Sequence, residues 1–297
     1  MAVKIVTLRP PEAFKADGVA IAVHRCEPQP PFPRHSHQFA ELVVITAGSG
    51  LHVIRQEEYT VSVGDVFVIL DTAPHEYRNR NRLGLVNVLY DPVALGMRQW
   101  GLHSIPGYRA LFELEPRNRR RHKFASRLRL NTKDLASVRD MLDQLENELD
   151  SRRPGFQLLA RSLFAQMVVC LSRCYGTSRV TESRSLLKVA QVLTYVERHF
   201  TEDLTLEKMA SFAKMSRRNF TRTFKDATGE SPMKYCIRLR IAKAAEMIRS
   251  SGEKITSIAF DCGYTDSNYF SIQFKQVMGC TPNQHRQRDR HLITGRY

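Results

Sequence analysis

Two sets of side chains in the C-terminal third of this 297-residue chain have the types and the spacing to read a nucleic acid. Arg218, Thr221, Arg222 and Lys225 share one face of a helical period, with Arg217 beside them. Asn268, Ser271, Ile272 and Lys275 share one face of a second, with Asp266 and Ser267 at its start. An arginine guanidinium can donate to guanine O6 and N7 together, and an asparagine amide can pair with adenine N6 and N7. Serine and threonine reach bases or phosphates, and lysine neutralises phosphate. Phe220 and Phe224 lie opposite the first set, and Phe270, Phe274 and Val277 opposite the second, so these five are expected inside the core.

The elements that hold these sets form one unit written twice. Phe220, Phe224-Lys225, Gly229 and Pro232 recur 50 positions on as Phe270, Phe274-Lys275, Gly279 and Pro282. Each copy starts with a short apolar helix pattern (Leu206, Met209, Ala210, Phe212; then Ile255, Ile258, Ala259), turns, and resumes, which is a helix-turn-helix. Met209-Ala210 and Ile258-Ala259 are only 49 apart, so the second turn, at Cys262–Thr265, is one residue longer. Ser216 and Asp266 stand where an N-cap must accept from an unpaired backbone N–H, and Gly229 and Gly279 stand where the helices end. A helical period from Ser231 to Arg249 joins the copies. Roughly 20 residues at about 1.5 Å each span about 30 Å, near the roughly 34 Å of one DNA turn, so two readers could enter successive major grooves.

The motifs Phe220, Phe224-Lys225, Gly229, Tyr235, Arg240-Ile241, Ala244, Ile258-Ala259, Cys262-Gly263-Tyr264, Asp266–Phe270, Phe274-Lys275, Gly279, Thr281-Pro282 and Arg286 resemble the AraC/XylS family of bacterial transcription regulators. The resemblance implies that both second helices bind double-stranded DNA, with Arg218, Arg222, Asp266 and Asn268 near bases. Ile272 departs from it, standing where many relatives are polar, and a thymine methyl is the contact an isoleucine could make there.

Composition agrees. The formal net charge of +15 and a pI near 9.8 favour a polyanionic partner, while 42% hydrophobic and 25% charged residues are ordinary for a globular protein. No window approaches a bilayer-spanning apolar run and the N-terminus carries no leader pattern, so no membrane role and a cytoplasmic location are expected. Six cysteines without a C-x-x-C pair suggest neither a zinc ribbon nor a disulfide frame, and Cys170 and Cys174 read as small buried residues.

The N-terminal half reads as short strands: Ile5–Leu8, Val19–His24, Glu41–Thr46, Leu51–Arg55, Tyr59–Val63, Val66–Leu70 and Leu85–Tyr90. Ala47–Gly50 reads as a hairpin turn, and the stretch before Leu85 as a polar loop. Strands at this spacing argue for a sandwich or barrel. His35-Ser36-His37, Glu41, Gly48, Gly64-Asp65, Pro74-His75 and Asn79 are similar in order and spacing to the two motifs of the cupin barrel, covering residues 30–95. In metal-binding cupins the residues matching His35, His37, Glu41 and His75 converge on one divalent ion. That donor set suits a first-row transition metal with positions left for a ligand. The same groups could equally line a pocket for a sugar or another small polar ligand, or be structural, so a metal stays open and no cofactor is required.

Beyond the strands, Arg117, Arg119, Arg120, Arg121, His122 and Lys123 read as a solvated loop. An amphipathic helix follows with Leu135, Val138, Met141 or Leu142, Leu145 and Leu149 inward. Pro154-Gly155 break it, and a second helix carries Phe156, Leu159, Leu163, Phe164, Met167, Val168 and Leu171. Residues 176–184 are polar and read as a linker. The whole order, with Ile105-Pro106-Gly107-Tyr108, resembles the L-rhamnose operon activators within the family.

The expected architecture is therefore an N-terminal all-β cupin-like barrel with a helical hairpin (1–175), a linker (176–184), and an all-α domain with two helix-turn-helix units (185–297). The expected function is a sequence-specific transcription regulator, an activator responding to a monosaccharide in the barrel, homodimeric through the hairpin and acting on RNA polymerase. The alternatives are a metal-dependent cupin enzyme with a DNA-binding appendage and a regulator with no effector. No acid, base or oxidant motif is added to the histidine–glutamate quartet, so the protein is not expected to be an enzyme.

Overall fold

The computed structural model describes residues 5–11, 14, 18–54, 56–70, 73–119 and 125–287. Its N-terminal strands are β1 (Val6–Leu8), β2 (Ile21–Cys26), β3 (His35–His37), β4 (Ala40–Ile54), β5 (Glu57–Ser62), β6 (Asp65–Ile69), β7 (His75–Tyr90) and β8 (Leu128–Arg129). They form one sheet in the order β1-β3-β7-β4-β6-β8, with β2 also on β7 and β5 also on β4. β4 and β7 are its backbone, antiparallel from Ala40 opposite Tyr90 to Ile54 opposite His75.

Two expectations fail here for one reason. Ala47–Gly50 is no hairpin turn but the middle of β4, and the polar stretch Glu76–Arg82 is no loop but part of β7. The two strands bend together through three register shifts between Ile45 and Leu51. Gly48 sits at the bend with φ 61°, and a Cβ there would lie 2.2 Å from the Arg82 carbonyl oxygen, so only glycine fits. The bend lets Glu41–Val44 pair with β6 and Ser49–Ile54 with β5. Arg78–Arg82 look loop-like in sequence because all five are exposed at this edge.

Val43, Ile45, Tyr59, Val61, Phe67, Ile69, Tyr77, Leu83 and Leu85 fill one face of the sheet. The other face meets a helical hairpin, α1 (Thr132–Ser151) and α2 (Phe156–Gly176). The Phe164 ring lies 4.9 Å from Tyr90, and Arg25 of β2 pairs with Asp143 and Glu146 of α1. In α1, Leu135, Val138, Leu142 and Leu145 are buried, so Leu142 rather than Met141 takes the inward position. In α2 the inward stripe starts at Ala160, leaving Leu159 exposed.

Of the basic run, Arg119 is buried, not solvated. It pairs with Glu115, donates to the Val68 carbonyl and lies over the Phe67 ring. Residues 120–124 lie outside the described residues. The six cysteines are free thiols, with Cys170 and Cys174 half-buried rather than buried.

The chain divides into two compact units, Met1–Ala190 and Gln191–Tyr297. Helix α3 (Thr181–Arg198) begins inside the stretch read as a linker, and only Thr177–Val180 lie between it and α2. Ser183 is buried there and donates to the Ser126 carbonyl, a long-range contact that local polarity does not reveal. The second unit continues with α4 (Leu206–Phe212), α5 (Arg217–Thr228), α6 (Pro232–Ser250), α7 (Ile255–Asp261) and α8 (Ser267–Met278). Among the described residues no helix is long and apolar enough to cross a membrane.

Candidate nucleic-acid interface and effector pocket

α5 and α8 are positioned by their own caps and phenylalanines. The Ser216 hydroxyl accepts from the Asn219 N–H, and one Asp266 carboxylate oxygen accepts from the N–H groups of Asn268 and Tyr269 at 2.7 and 3.2 Å. Phe220, Phe224, Phe270 and Phe274 are fully buried. Gly229 and Gly279 end the helices in the left-handed conformation, as expected. Val277 does not join the core and is 41% exposed. It lies in the last turn before Gly279, where the chain turns back and Cys280 and Pro282 are buried instead.

This rotation leaves Arg217, Arg218, Arg222 and Lys225 exposed on α5, with Thr221 half-buried. Arg217 is held by Glu207 of α4, and Arg222 donates to the Asn219 amide oxygen at 3.1 Å. On α8, Asn268, Ile272 and Lys275 are exposed, while Ser267 and Ser271 are half-buried, the Ser271 hydroxyl donating to the Ser267 carbonyl. Asp266 is exposed and occupied as the cap. Asn219, Tyr269 and Gln276 share the exposed surface and escaped the sequence reading. Asn219 and Tyr269 occupy the same place in the two copies, 50 residues apart, a signal that the repeat itself offered. α6 has 19 residues and separates the two helix-turn-helix copies by a rod of about 28 Å.

The N-terminal unit holds a cavity of about 430 Å³, lined among others by His24, Gln29, Phe32, His35, His37, Glu41, His75, Tyr77 and Asn87. β3, β4 and the start of β7 deliver the quartet, because His35 pairs with His75 across the sheet. His37 Nε2 lies 3.0 Å and His75 Nε2 3.5 Å from one Glu41 carboxylate oxygen. His35 stands aside from that point, its ring 4.3 Å from His75 and its Nδ1 on the Pro33 carbonyl. Burial pushes the Glu41 carboxyl up, but hydrogen bonds from His37 and His75 outweigh it and hold the group well below the ordinary carboxylate range. Burial lowers His35, with His75 adding to the effect.

His52 was missed. It is fully buried, stacked between Phe67 and Tyr77, with its ring 5.6 Å from His75, and burial lowers its pKa well below the usual value. β4 turns odd-numbered residues inward before the bend (Glu41, Val43, Ile45) and even-numbered ones after it (His52, Ile54), and only the bulged register reveals that switch.

The donor set fits a cation. His37, Glu41 and His75 each bring one ligand atom within 4.8 Å of the others. Nδ1 of His37 faces the Phe39 carbonyl at 2.6 Å and Nδ1 of His75 faces the Ala73 carbonyl, leaving both Nε2 atoms directed at the carboxylate. Two imidazoles oriented by backbone carbonyls beside one carboxylate are the usual supports of a transition-metal ligand set.

Residues 18–168 match the family model of the AraC-like ligand binding domain. The chain belongs to the AraC family. Residues 209–288 of this AraC-family chain match a second model, a helix-turn-helix domain, which spans both copies. It is similar to the HTH-type transcriptional activator RhaS of Escherichia fergusonii, 32% identical over 274 residues that cover 92% of this chain and 94% of the relative. It is similar also to RhaS of Klebsiella pneumoniae, strain 342, 33% identical over 92% of this chain and 94% of the relative. RhaR of Enterobacter sp., strain 638, is 31% identical over 95% of this chain and 97% of the relative. The AraC-family chain is thus a two-domain helix-turn-helix DNA-binding regulator with a ligand-binding domain, as its motifs led one to expect.

Proposed function

We propose that this protein activates transcription in the cytoplasm when a small sugar occupies the N-terminal cavity, with α5 and α8 reading adjacent major-groove segments. The observation that carries this reading is the coexistence in one chain of two solvent-facing recognition helices and a cavity whose walls carry both polar and apolar side chains. The Tyr77 hydroxyl, the Asn87 amide oxygen and the Gln29 amide oxygen are buried at that cavity with no hydrogen-bond partner among the described residues. Buried polar atoms call for partners, and a sugar's hydroxyls can both donate and accept. Phe32, Phe39 and Leu89 on the same walls suit the C–H faces of a pyranose or the methyl of a 6-deoxy sugar. Similarity to proteins named transcriptional activators supports activation, and hence contact with RNA polymerase, over catalysis.

A ligand moves the protein only by binding one state better than another. Arg25 gives the signal a route within the N-terminal unit, because β2 also carries the cavity residues His24 and Cys26 while Arg25 grips α1. The exposed Leu158 and Leu159 and the shallow groove at Met141, Ala165 and Val169 support a homodimer through the hairpin.

The histidine orientation favours a second reading of the same cavity, in which His37, Glu41 and His75 hold a divalent transition metal. Such a metal would supply open positions for sugar oxygens. Thermal melting of the full chain against a panel of monosaccharides, with and without chelator, tests both. An upward shift with one sugar that survives chelation supports direct binding, and a shift abolished by chelation and by His37→Ala supports the metal. No shift with any sugar or metal would overturn the effector reading in favour of an effector-independent regulator.

A further inference from the structure

The two helix-turn-helix copies do not carry the same reading chemistry. In the 50-residue repeat, Arg217, Arg218 and Arg222 of α5 become Ser267, Asn268 and Ile272 of α8, and only Lys225 keeps its type as Lys275. Ile272 is 56% exposed in the middle of a helix whose opposite face buries Phe270 and Phe274 completely. An exposed isoleucine alone means little, since single apolar residues are common on surfaces. Its place carries the argument: it follows Asn268 by one turn on the same edge, in the position that Arg222 holds relative to Arg218.

We propose that α8 reads an A·T segment, with Asn268 paired to adenine N6 and N7 and Ile272 packed on a thymine C5 methyl, while α5 reads a guanine-containing segment through Arg218 and Arg222. This rests on the DNA-reading role of the two helices proposed above. Asparagine matches the donor and acceptor of the adenine edge, and an aliphatic side chain can bury the thymine methyl. Ile272 also selects against G·C, because it would cover the guanine O6 and N7 acceptors or the cytosine amino donor without offering a hydrogen bond. The difference in charge follows the same division. α5 presents Arg218, Arg222 and Lys225 to the duplex besides the Glu207-held Arg217, and α8 presents Lys275.

The test is selection of preferred duplexes from a random library by the full-length protein, followed by base replacement. Two blocks about one helical turn apart are expected, one containing guanine and one rich in A·T. Ile272→Arg identifies the α8 block, since it should change the preferred base in that block alone, toward guanine. Uracil in place of thymine there should weaken the parent about fourfold per contacted methyl, the factor that burying one methyl corresponds to. Ile272→Ala should bind both duplexes equally, and because the side chain is exposed that variant keeps its core. A preferred sequence whose α8 block is G·C, or uracil without effect on the parent, overturns this inference and leaves the DNA-reading role standing. Recovery of no preferred sequence overturns both.

Discussion

Residues 206–228 and 255–278 fold alike and present unlike surfaces. Each copy buries two phenylalanines four residues apart, caps its second helix with a side-chain oxygen and ends it at a left-handed glycine. The backbone hydrogen bond that closes the first turn, from Met215 to Ala210, recurs as Tyr264 to Ala259, both at 3.0 Å. At the same point of the turn Lys214 takes φ 51° where Gly263 takes φ 81°, and the second turn then spends one more residue before its cap. The solvent-facing residues diverge far more, from arginine to asparagine and isoleucine. Packing constrains one side of each helix, and the other side is free to answer to its partner.

The largest effects should fall on what the copies share. Phe224→Ala and Phe274→Ala should each cost about 3–5 kcal/mol of stability, measured by denaturant unfolding. A copy whose variant melts like the parent would not have the core described here. Next, Arg218→Ala should lose about 1–3 kcal/mol of specific binding and relax preference at one base pair, read by titration on matched and altered duplexes. Equal weakening on random DNA would make Arg218 a phosphate contact. The turns should respond oppositely. Gly263→Ala should destabilise by more than about 1 kcal/mol, because its φ is positive and a Cβ would stand 2.6 Å from the Thr201 carbonyl oxygen. Lys214→Gly should stabilise by up to about 1 kcal/mol by relieving a left-handed lysine. The same sign at both sites in thermal melts would mean that the turns are not equivalent.

The same contrast explains what was legible in the sequence. Caps, glycine ends and the burial of Phe220, Phe224, Phe270 and Phe274 depend on neighbours within one or two turns, so periodicity reveals them. The sheet depends on partners far along the chain. Nothing local shows that β4 bends at Gly48 rather than reversing, that Arg78–Arg82 belong to a strand, or that the bulge turns His52 inward. Arg119 is buried because Glu115 and the Val68 carbonyl meet it, and its basic neighbours in sequence disguise that. The quartet divides in the same way: His37, Glu41 and His75 converge, while His35 lies behind His75 and His52 takes a place beyond it.

The central claim is that both copies read DNA, held by α6 about one helical turn apart. Hydroxyl-radical footprinting of the full-length protein on its selected duplex tests it most directly. Each protein should protect two tracts about one turn apart on one face of the helix, with Arg218→Ala and Ile272→Arg each disturbing a different tract. One protected tract per protein, disturbed by Arg218→Ala and indifferent to Ile272→Arg, would contradict the account.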